Sequence, residues 1–295
     1  MSQQVAIAAE IAWRLKQFEE LQQMPTWPLV PYNEVTGRGL HAGQRGIYRD
    51  INRTGSIVPD GIAVGLLHTG KHYSDELTDS GIVYHYPRTK SGTTDEREIQ
   101  SLRNAALNGV PVFVISSVPG GNNVNLGWIE NQDSALGVVF VAFQEPSRPA
   151  TVDVAWSDPE QPLELITRRK RTQTEVEKAE RDPRFRYMAL RRYGASCAVT
   201  GLDVPTLLEA AHVVPVAKGG SDDARNSLLL SPTAHRAFDK NLWAIRPQTL
   251  EVVASKELAQ LPRLRFAFED LRHLRFPPAK DALDWRWHEF EKAES

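Results

Sequence analysis

The stretch Glu209-Ala210-Ala211-His212-Val213-Val214-Pro215 is followed by Asn226 and then by His235-Arg236-Ala237-Phe238-Asp239. Leu207 to Val214 is an apolar run that reads as a strand, with His212 near its end and three residues before a proline. A polar loop with two glycines, Lys218 to Asn226, leads to a second short strand, Leu228 to Leu230. Ser231 reads as an N-cap, and Pro232 to Phe238 as the helix it starts. On that helix His235 and Asp239 stand four residues apart and so share a face. Two ligand-type side chains on one helical face make half of a divalent-metal site. A histidine on the neighbouring strand can then take a proton from a water beside the metal. Each residue alone has a plainer reading: a satisfied histidine in an apolar strand, or a surface His–Asp pair. The whole order, within 31 residues, favours a compact strand, loop, strand and helix around one metal ion.

The segment resembles the HNH endonuclease family, whose fold is a ββα finger. The resemblance implies that His212 is the general base, Asn226 the middle asparagine and His235 the helix histidine of the motif, and these three are the expected catalytic residues. Cys197-Ala198-Val199-Thr200-Gly201, read as a strand end and turn, is similar to a subgroup in which such a strand precedes the first histidine. The resemblance extends to Trp285–Phe290 and covers about the last third of the chain. In many members the residue before the base is a metal-binding Asp or His, whereas here it is Ala211. Alternate strand residues share a face, so Glu209 stands on the side of Ala211 and can offer a carboxylate in its place. The expected ligand set is therefore His235 and Asp239 with Glu209, or His235 and Asp239 with waters in its place. The implied chemistry is phosphodiester hydrolysis with one divalent ion, Mg²⁺ or Mn²⁺ first, and Ni²⁺, Co²⁺ or Zn²⁺ as alternatives.

Upstream, residues 5–24 read as a helix with Ile7, Ile11, Leu15, Phe18 and Leu21 on one stripe, ended by Pro25 and Pro28. The helix either packs on its own domain or serves a homodimer. Residues 30 to 145 alternate short β-rich runs with turn residues: Gly61–Leu67, Gly81–Tyr86, Val110–Ser116 and Leu136–Phe143. One helix, Asp95 to Leu107, interrupts them. The pattern predicts a curved or barrel-like β domain. Four prolines between 144 and 166 mark a linker. Arg168 to Arg192 then carries 10 Lys or Arg against 4 Asp or Glu and reads as a charged helix. It is either a solvated face or a phosphate-contacting element led by Arg168, Arg169, Lys170 and Arg171.

Tyr73, Tyr84 and Tyr86, with Asp75, Glu76 and Asp79, are the candidates for a pocket that takes a flat polar ring. Tyrosines stack on a heterocycle and carboxylates accept from an exocyclic amine. Strand tyrosines are equally read as core residues. The order of Gly46-Ile47, Tyr73-Ser74-Asp75-Glu76, Gly81 to Tyr86 and Asn104-Ala105-Ala106-Leu107 resembles the SRA (YDG) domain, a PUA-like fold. That family reads modified cytosine by flipping it out of the duplex.

The expected class is therefore α+β: an N-terminal helix (1–29), an SRA-like reader (30–147), a linker with a basic helix (148–192) and an HNH domain (193–295). An SRA-like reader joined to an HNH nuclease resembles bacterial modification-dependent restriction endonucleases. This implies that the partner is double-stranded DNA carrying 5-methyl- or 5-hydroxymethylcytosine. Two alternatives differ in class: a modified-DNA-binding regulator with a weakened nuclease, and a nuclease gated by a small nucleotide messenger. The balance of 35 Lys and Arg against 37 Asp and Glu, a net charge of -2, neither favours nor excludes nucleic acid. No apolar run of 18 residues suggests a spanning helix, and Glu10, Arg14 and Lys16 interrupt any secretory signal. Cys197 is the sole cysteine, which excludes an internal disulfide and a multi-cysteine zinc knuckle and fits a bacterial cytoplasm.

Overall fold

The structure, a computed structural model, describes residues 2–43, 45–69, 76–87, 92–167, 183–259 and 266–295. The chain divides into two compact units, Met1–Val154 and Ala155–Ser295. The division falls later than the expected end at 147, because Thr151 and Val152 pair with Asn131 and Gln132 of the first unit.

The first unit opens with α1 (Gln3–Gln22), whose N-cap Ser2 accepts a hydrogen bond from the Val5 amide. Its buried stripe differs from the expected one: Leu15 is exposed, and Arg14 is fully buried. The Arg14 guanidinium pairs with Glu10 and donates to the carbonyls of Ala63 and Pro111. Burial pulls its pKa down to about 10, against the pull of Glu10 in the other direction. A charge this deep is tolerated because Glu10 pairs with it and two backbone carbonyls accept from Nη1. Ile7 and Ile11 pack on one face of the unit's core and Trp13 and Phe18 on the other, beside buried Leu21. The helix thus uses its apolar face within its own unit, while Val5 and Leu15 are exposed.

Among the described residues, two short helices, α2 (Tyr32–Gly37) and α3 (Ile51–Thr54), and one long one, α4 (Gly92–Leu107), accompany eight strands. These are β1 (Ile47–Arg49), β2 (Ala63–His68), β3 (Glu76–Leu77), β4 (Gly81–His85), β5 (Val112–Val118), β6 (Gly121–Asp133), β7 (Val138–Ala142) and β8 (Thr151–Val152). They form one sheet in the order β1-β2-β5-β6-β7-β4-β3, with β8 on β6. The β2–β5 and β6–β8 pairs are parallel, and the rest are antiparallel. Central β5 is buried on both faces. Val112 and Val114 face one cluster with Leu102 and Ala105 of α4, and Phe113 and Ile115 face the other with Leu21. Such two-sided burial suits a continuous Val/Ile/Phe run.

The longest strand, β6, is absent from the strands that the sequence pattern predicts. Its first half pairs with β5 and its second half with β7, so it carries the chain from one half of the sheet to the other. Gly127 lies at the transfer, where a Cβ would meet Val141 and the Ala142 carbonyl. A register shift between Ile129 and Asn131 marks a bulge of the kind that bends a sheet.

The second unit contains α5 (Pro183–Tyr193), β9 (Glu209–His212), β10 (Ser227–Leu230), α6 (Pro232–Asp239), β11 (Trp243–Ile245), β12 (Val252–Ala254), α7 (Lys256–Ala259) and α8 (Lys280–Glu294). Antiparallel β9 and β10 pair His212 with Ser227 and Glu209 with Leu230. Ser231 caps α6 by accepting from the Ala234 amide, with Pro232 in the first turn. Residues 198–200 form a turn rather than the expected strand end. The Ala198 amide donates to the Leu229 carbonyl, and Cys197 Sγ accepts from the amides of Thr200 and Ser231. Burial disfavours the Cys197 thiolate, yet donors at Thr200, Val199 and Ser231 outweigh it and hold the thiol below its ordinary pKa. Only the last part of the expected charged helix, α5, is described, and Arg168, Arg169, Lys170 and Arg171 lie outside the described residues. No described helix is long and apolar enough to cross a membrane.

Candidate active site

His212 ends β9 and is 9% exposed. Its ring stacks on Phe185 of α5, centroids 3.8 Å apart and planes 7° from parallel. Nε2 lies 3.1 Å from Asp222 Oδ1. A carboxylate only accepts, so the proton of a neutral ring sits on Nε2 and Nδ1 keeps the lone pair. That is the form a general base needs.

The backbone beyond His212 is held from two sides. Arg286 of α8 is buried and donates to the carbonyls of Val213 (2.9 Å) and His212 (3.4 Å) and to Asn241 Oδ1 (3.2 Å). Its guanidinium lies 4.3 Å from the Phe238 ring centroid. Burial brings its pKa down to about 10, while Asp239 and Glu289 act in the opposite sense. On the other side stands Asn226, with no exposed surface. Its Oδ1 accepts from the Val214 amide (2.8 Å), and its Nδ2 donates to the carbonyls of Val214 (3.1 Å) and Ser221 (2.9 Å). With its amide turned to backbone, Asn226 is a positioning residue, which corrects the expectation that it is catalytic.

His235 forms the second cluster. Its Nδ1 lies 2.7 Å from Glu209 Oε2, and its Nε2 lies 3.3 Å from Asp239 Oδ2. Glu209 and Asp239 are half-exposed, at 45% and 50%. A neutral ring donating from Nδ1 to Glu209 turns its Nε2 lone pair toward the Asp239 carboxylate. Two acceptors so close call for a cation beside both, or for a second proton on the ring. Neighbouring ligands of an octahedral ion at about 2.1 Å stand roughly 3 Å apart, so His235 Nε2 and Asp239 fit one ion. Glu209 fits the second role common at such sites, accepting the other ring N–H and fixing the tautomer. This differs from the expectation that Glu209 is itself a ligand. Among the described residues no three His, Cys, Asp or Glu side chains are placed to hold a metal together. The arrangement therefore suits an ion that keeps water or substrate oxygens, as Mg²⁺ does, and not an all-protein cage.

The other expected pocket does not assemble from the described residues. Tyr84 and Tyr86 are 1% and 6% exposed and belong to the core cluster with Ile82, Leu102 and Val139. Burial pushes the Tyr86 hydroxyl up to about 12. Alternation puts residues 82, 84 and 86 on one face, and that face is the core, so these rings are filled against protein. Asp79 is exposed in the β3–β4 turn, and Glu76 lies in β3. Tyr73 and Asp75 lie outside the described residues.

Sequence reasoning missed Asp222, Phe185 and Arg286. Asp222 stands beside Asp223 in a polar loop, and spacing alone does not say which faces His212. Asp223 instead pairs with Arg225 (2.8 Å), whose Nη1 donates to the carbonyl of Gln161 (2.8 Å).

Residues 197–246 match the family described as HNH endonuclease. No curated protein matches the chain. Among solved structures it is similar to the modification-dependent TagI restriction endonuclease at 18% identity, over 89% of this chain and 91% of that one, with a TM-score of 0.32. It is similar to the SUVH5 SRA domain in complex with methylated CHH DNA at 19% identity, over 41% and 88%, with a TM-score of 0.27. The type IV phosphorothioation-dependent restriction endonuclease ScoMcrA matches at 15% identity, over 78% and 64%, with a TM-score of 0.24. The matched segment lies within the second unit and contains β9, β10 and α6, the elements that carry Glu209, His212, His235 and Asp239.

Proposed function

We propose that this chain is a modification-dependent DNA endonuclease that restricts foreign DNA in a bacterial cytoplasm. The second unit hydrolyses phosphodiester bonds. The observation that carries this reading is the pair of clusters within the matched segment and its loop: His212 oriented toward Asp222, and His235 between Glu209 and Asp239. His212 Nδ1 takes the proton of the attacking water. His235 and Asp239 would hold a divalent ion, Mg²⁺ or Mn²⁺ first, which would supply positive charge to the phosphate and its leaving oxygen.

The first unit selects the substrate by flipping a 5-methyl- or 5-hydroxymethylcytosine out of the duplex. What supports this is the order of motifs from Gly46 to Leu107. With Tyr84 and Tyr86 in the core, Tyr73 and Asp75 are the residues this reading rests on for the pocket. Arg168, Arg169, Lys170 and Arg171 contact phosphates, which position the protein without reading sequence.

The test is cleavage of methylated, hydroxymethylated and plain duplexes of one sequence, with and without divalent metal. Metal-dependent cleavage of modified duplex alone supports the reading. Binding of modified duplex with no cleavage indicates a regulator. Cleavage of all three alike, or only after a nucleotide is added, removes the reader and favours a gated nuclease.

A further inference from the structure

The loop from Gly219 to Asp222 is fastened to a segment far away in sequence. Ile166 bridges Gly220 in antiparallel fashion. The Thr167 amide donates to the Gly219 carbonyl (2.8 Å), and the Ser221 amide to the Leu165 carbonyl (3.1 Å). Gly219 has a φ of 83°, and a Cβ on Gly220 would overlap the Val214 carbonyl oxygen. The Gly220 amide donates to Pro215 (3.0 Å), and Asn226 holds the Ser221 carbonyl. Residues 155–167 are themselves anchored on this unit. Asp158 accepts from Arg192 Nε (2.7 Å) and Nη2 (2.6 Å), and Arg225 holds the Gln161 carbonyl. Burial works against the Asp158 carboxylate, but Arg192 keeps it below the usual carboxylate range.

The residue this lattice presents to His212 is Asp222. We propose that Asp222 is the positioning residue of the general base, and that the strap at Leu165–Thr167 holds it in register. Asp222 accepts from His212 Nε2–H, the Phe185 ring fixes the plane of the imidazole, and Nδ1 is left to accept a proton from water. Without the carboxylate the ring has no reason to keep its proton on Nε2, and a ring protonated on Nδ1 offers no base there. This inference rests on the nuclease reading, in which His212 is the base.

The experiment uses the full chain and reads two quantities. The first is the imidazole ¹⁵N spectrum of metal-free protein, with the His212 signals assigned by their loss in His212→Ala. Wild type is expected to show the Nε2–H tautomer, and Asp222→Ala a mixture of the two. The second is the kinetics of cleavage. For Asp222→Ala, kcat is expected to fall about 10- to 100-fold, the range typical of a partner that orients a histidine. DNA affinity is expected to stay within about twofold of wild type. Asp222→Leu, similar in size and without an acceptor, is the second variant should alanine disturb the fold, and the same tautomer mixture and loss of kcat are expected of it. An unchanged tautomer, or kcat within about threefold of wild type in a folded variant, would overturn the inference. Wild type that cuts no duplex would end the nuclease reading, whereas the tautomer measurement needs neither substrate nor metal and judges Asp222 by itself.

Discussion

The two units answer the same question in opposite ways. In Ala155–Ser295 the residues singled out by chemistry find each other: His235 touches Glu209 and Asp239, and Asn226 clamps the turn that follows His212. In Met1–Val154 the described residues singled out by chemistry disperse: Tyr84 and Tyr86 go to the core and Asp79 to a turn. The difference lies in what each residue type does by default. Tyrosine is favoured in strands because it packs on a half-buried surface, so tyrosine on a strand carries little information about ligands. A histidine and an asparagine buried like His212 and Asn226 have no such default in an apolar stretch. Burying them costs free energy unless each has a partner.

The strongest expected effect bears on the better-assembled site. His212→Ala should reduce cleavage by about 10²- to 10⁴-fold, the range for loss of a general base, with DNA binding nearly unchanged. Gel-based cleavage alongside fluorescence anisotropy measures both, and a loss of only a few-fold would mean that the base lies elsewhere. Next comes the first unit. A methyl-sized contact is worth about 1 to 3 kcal/mol, so wild type should prefer modified over plain duplex by roughly 10- to 200-fold per flipped base. Tyr73→Ala and Asp75→Ala should lose that preference, whereas Tyr84→Phe and Tyr86→Phe should keep it. If the phenylalanine variants lose it too, the two buried tyrosines read the base and the contrast between the units fails.

A third effect concerns the ion. His235→Ala and Asp239→Ala should lower cleavage by about 10- to 100-fold, with partial recovery at high metal concentration, and a chelator should stop the wild type. Titration of activity with Mg²⁺ and Mn²⁺ checks this, and full activity in a chelator would leave the His235 cluster without a catalytic part. The smallest effect is electrostatic. Charge reversal at Arg168, Arg169 and Arg171 should flatten the dependence of DNA affinity on salt, by about 0.9 in the log–log slope for each phosphate that is no longer neutralised. The modification preferred should stay the same, and a changed preference would show that these residues touch bases.

Much of the second unit is legible in the sequence because its signals are local. The strand around His212, the Ser231 cap and the His235/Asp239 face all follow from spacing within a few residues. What escapes depends on distant partners. Arg286 reaches His212 and Val213 from the C-terminal helix, and Phe185 stacks on His212 from a helix that precedes it. Nothing in the immediate neighbours of either residue announces this. In the first unit the strands rich in Val, Ile and Phe are legible. Gly121–Asp133 is not, because four of its thirteen residues are asparagine and its ladder bonds come from both halves of the sheet. Arg14 is hidden by its charge: its place inside α1 depends on two carbonyls, 49 and 97 residues away, that only the fold brings to it.

The most direct test of the central claim is a single competition. Methylated, hydroxymethylated and unmodified duplexes of one sequence, each with its own label, are mixed with wild-type protein and Mg²⁺ or Mn²⁺, and the products are followed in time. One or both modified duplexes are expected to be cut while the plain one persists, with no cutting by His212→Ala in a parallel reaction. Equal cutting of all three, or cutting that survives in His212→Ala, would contradict the claim.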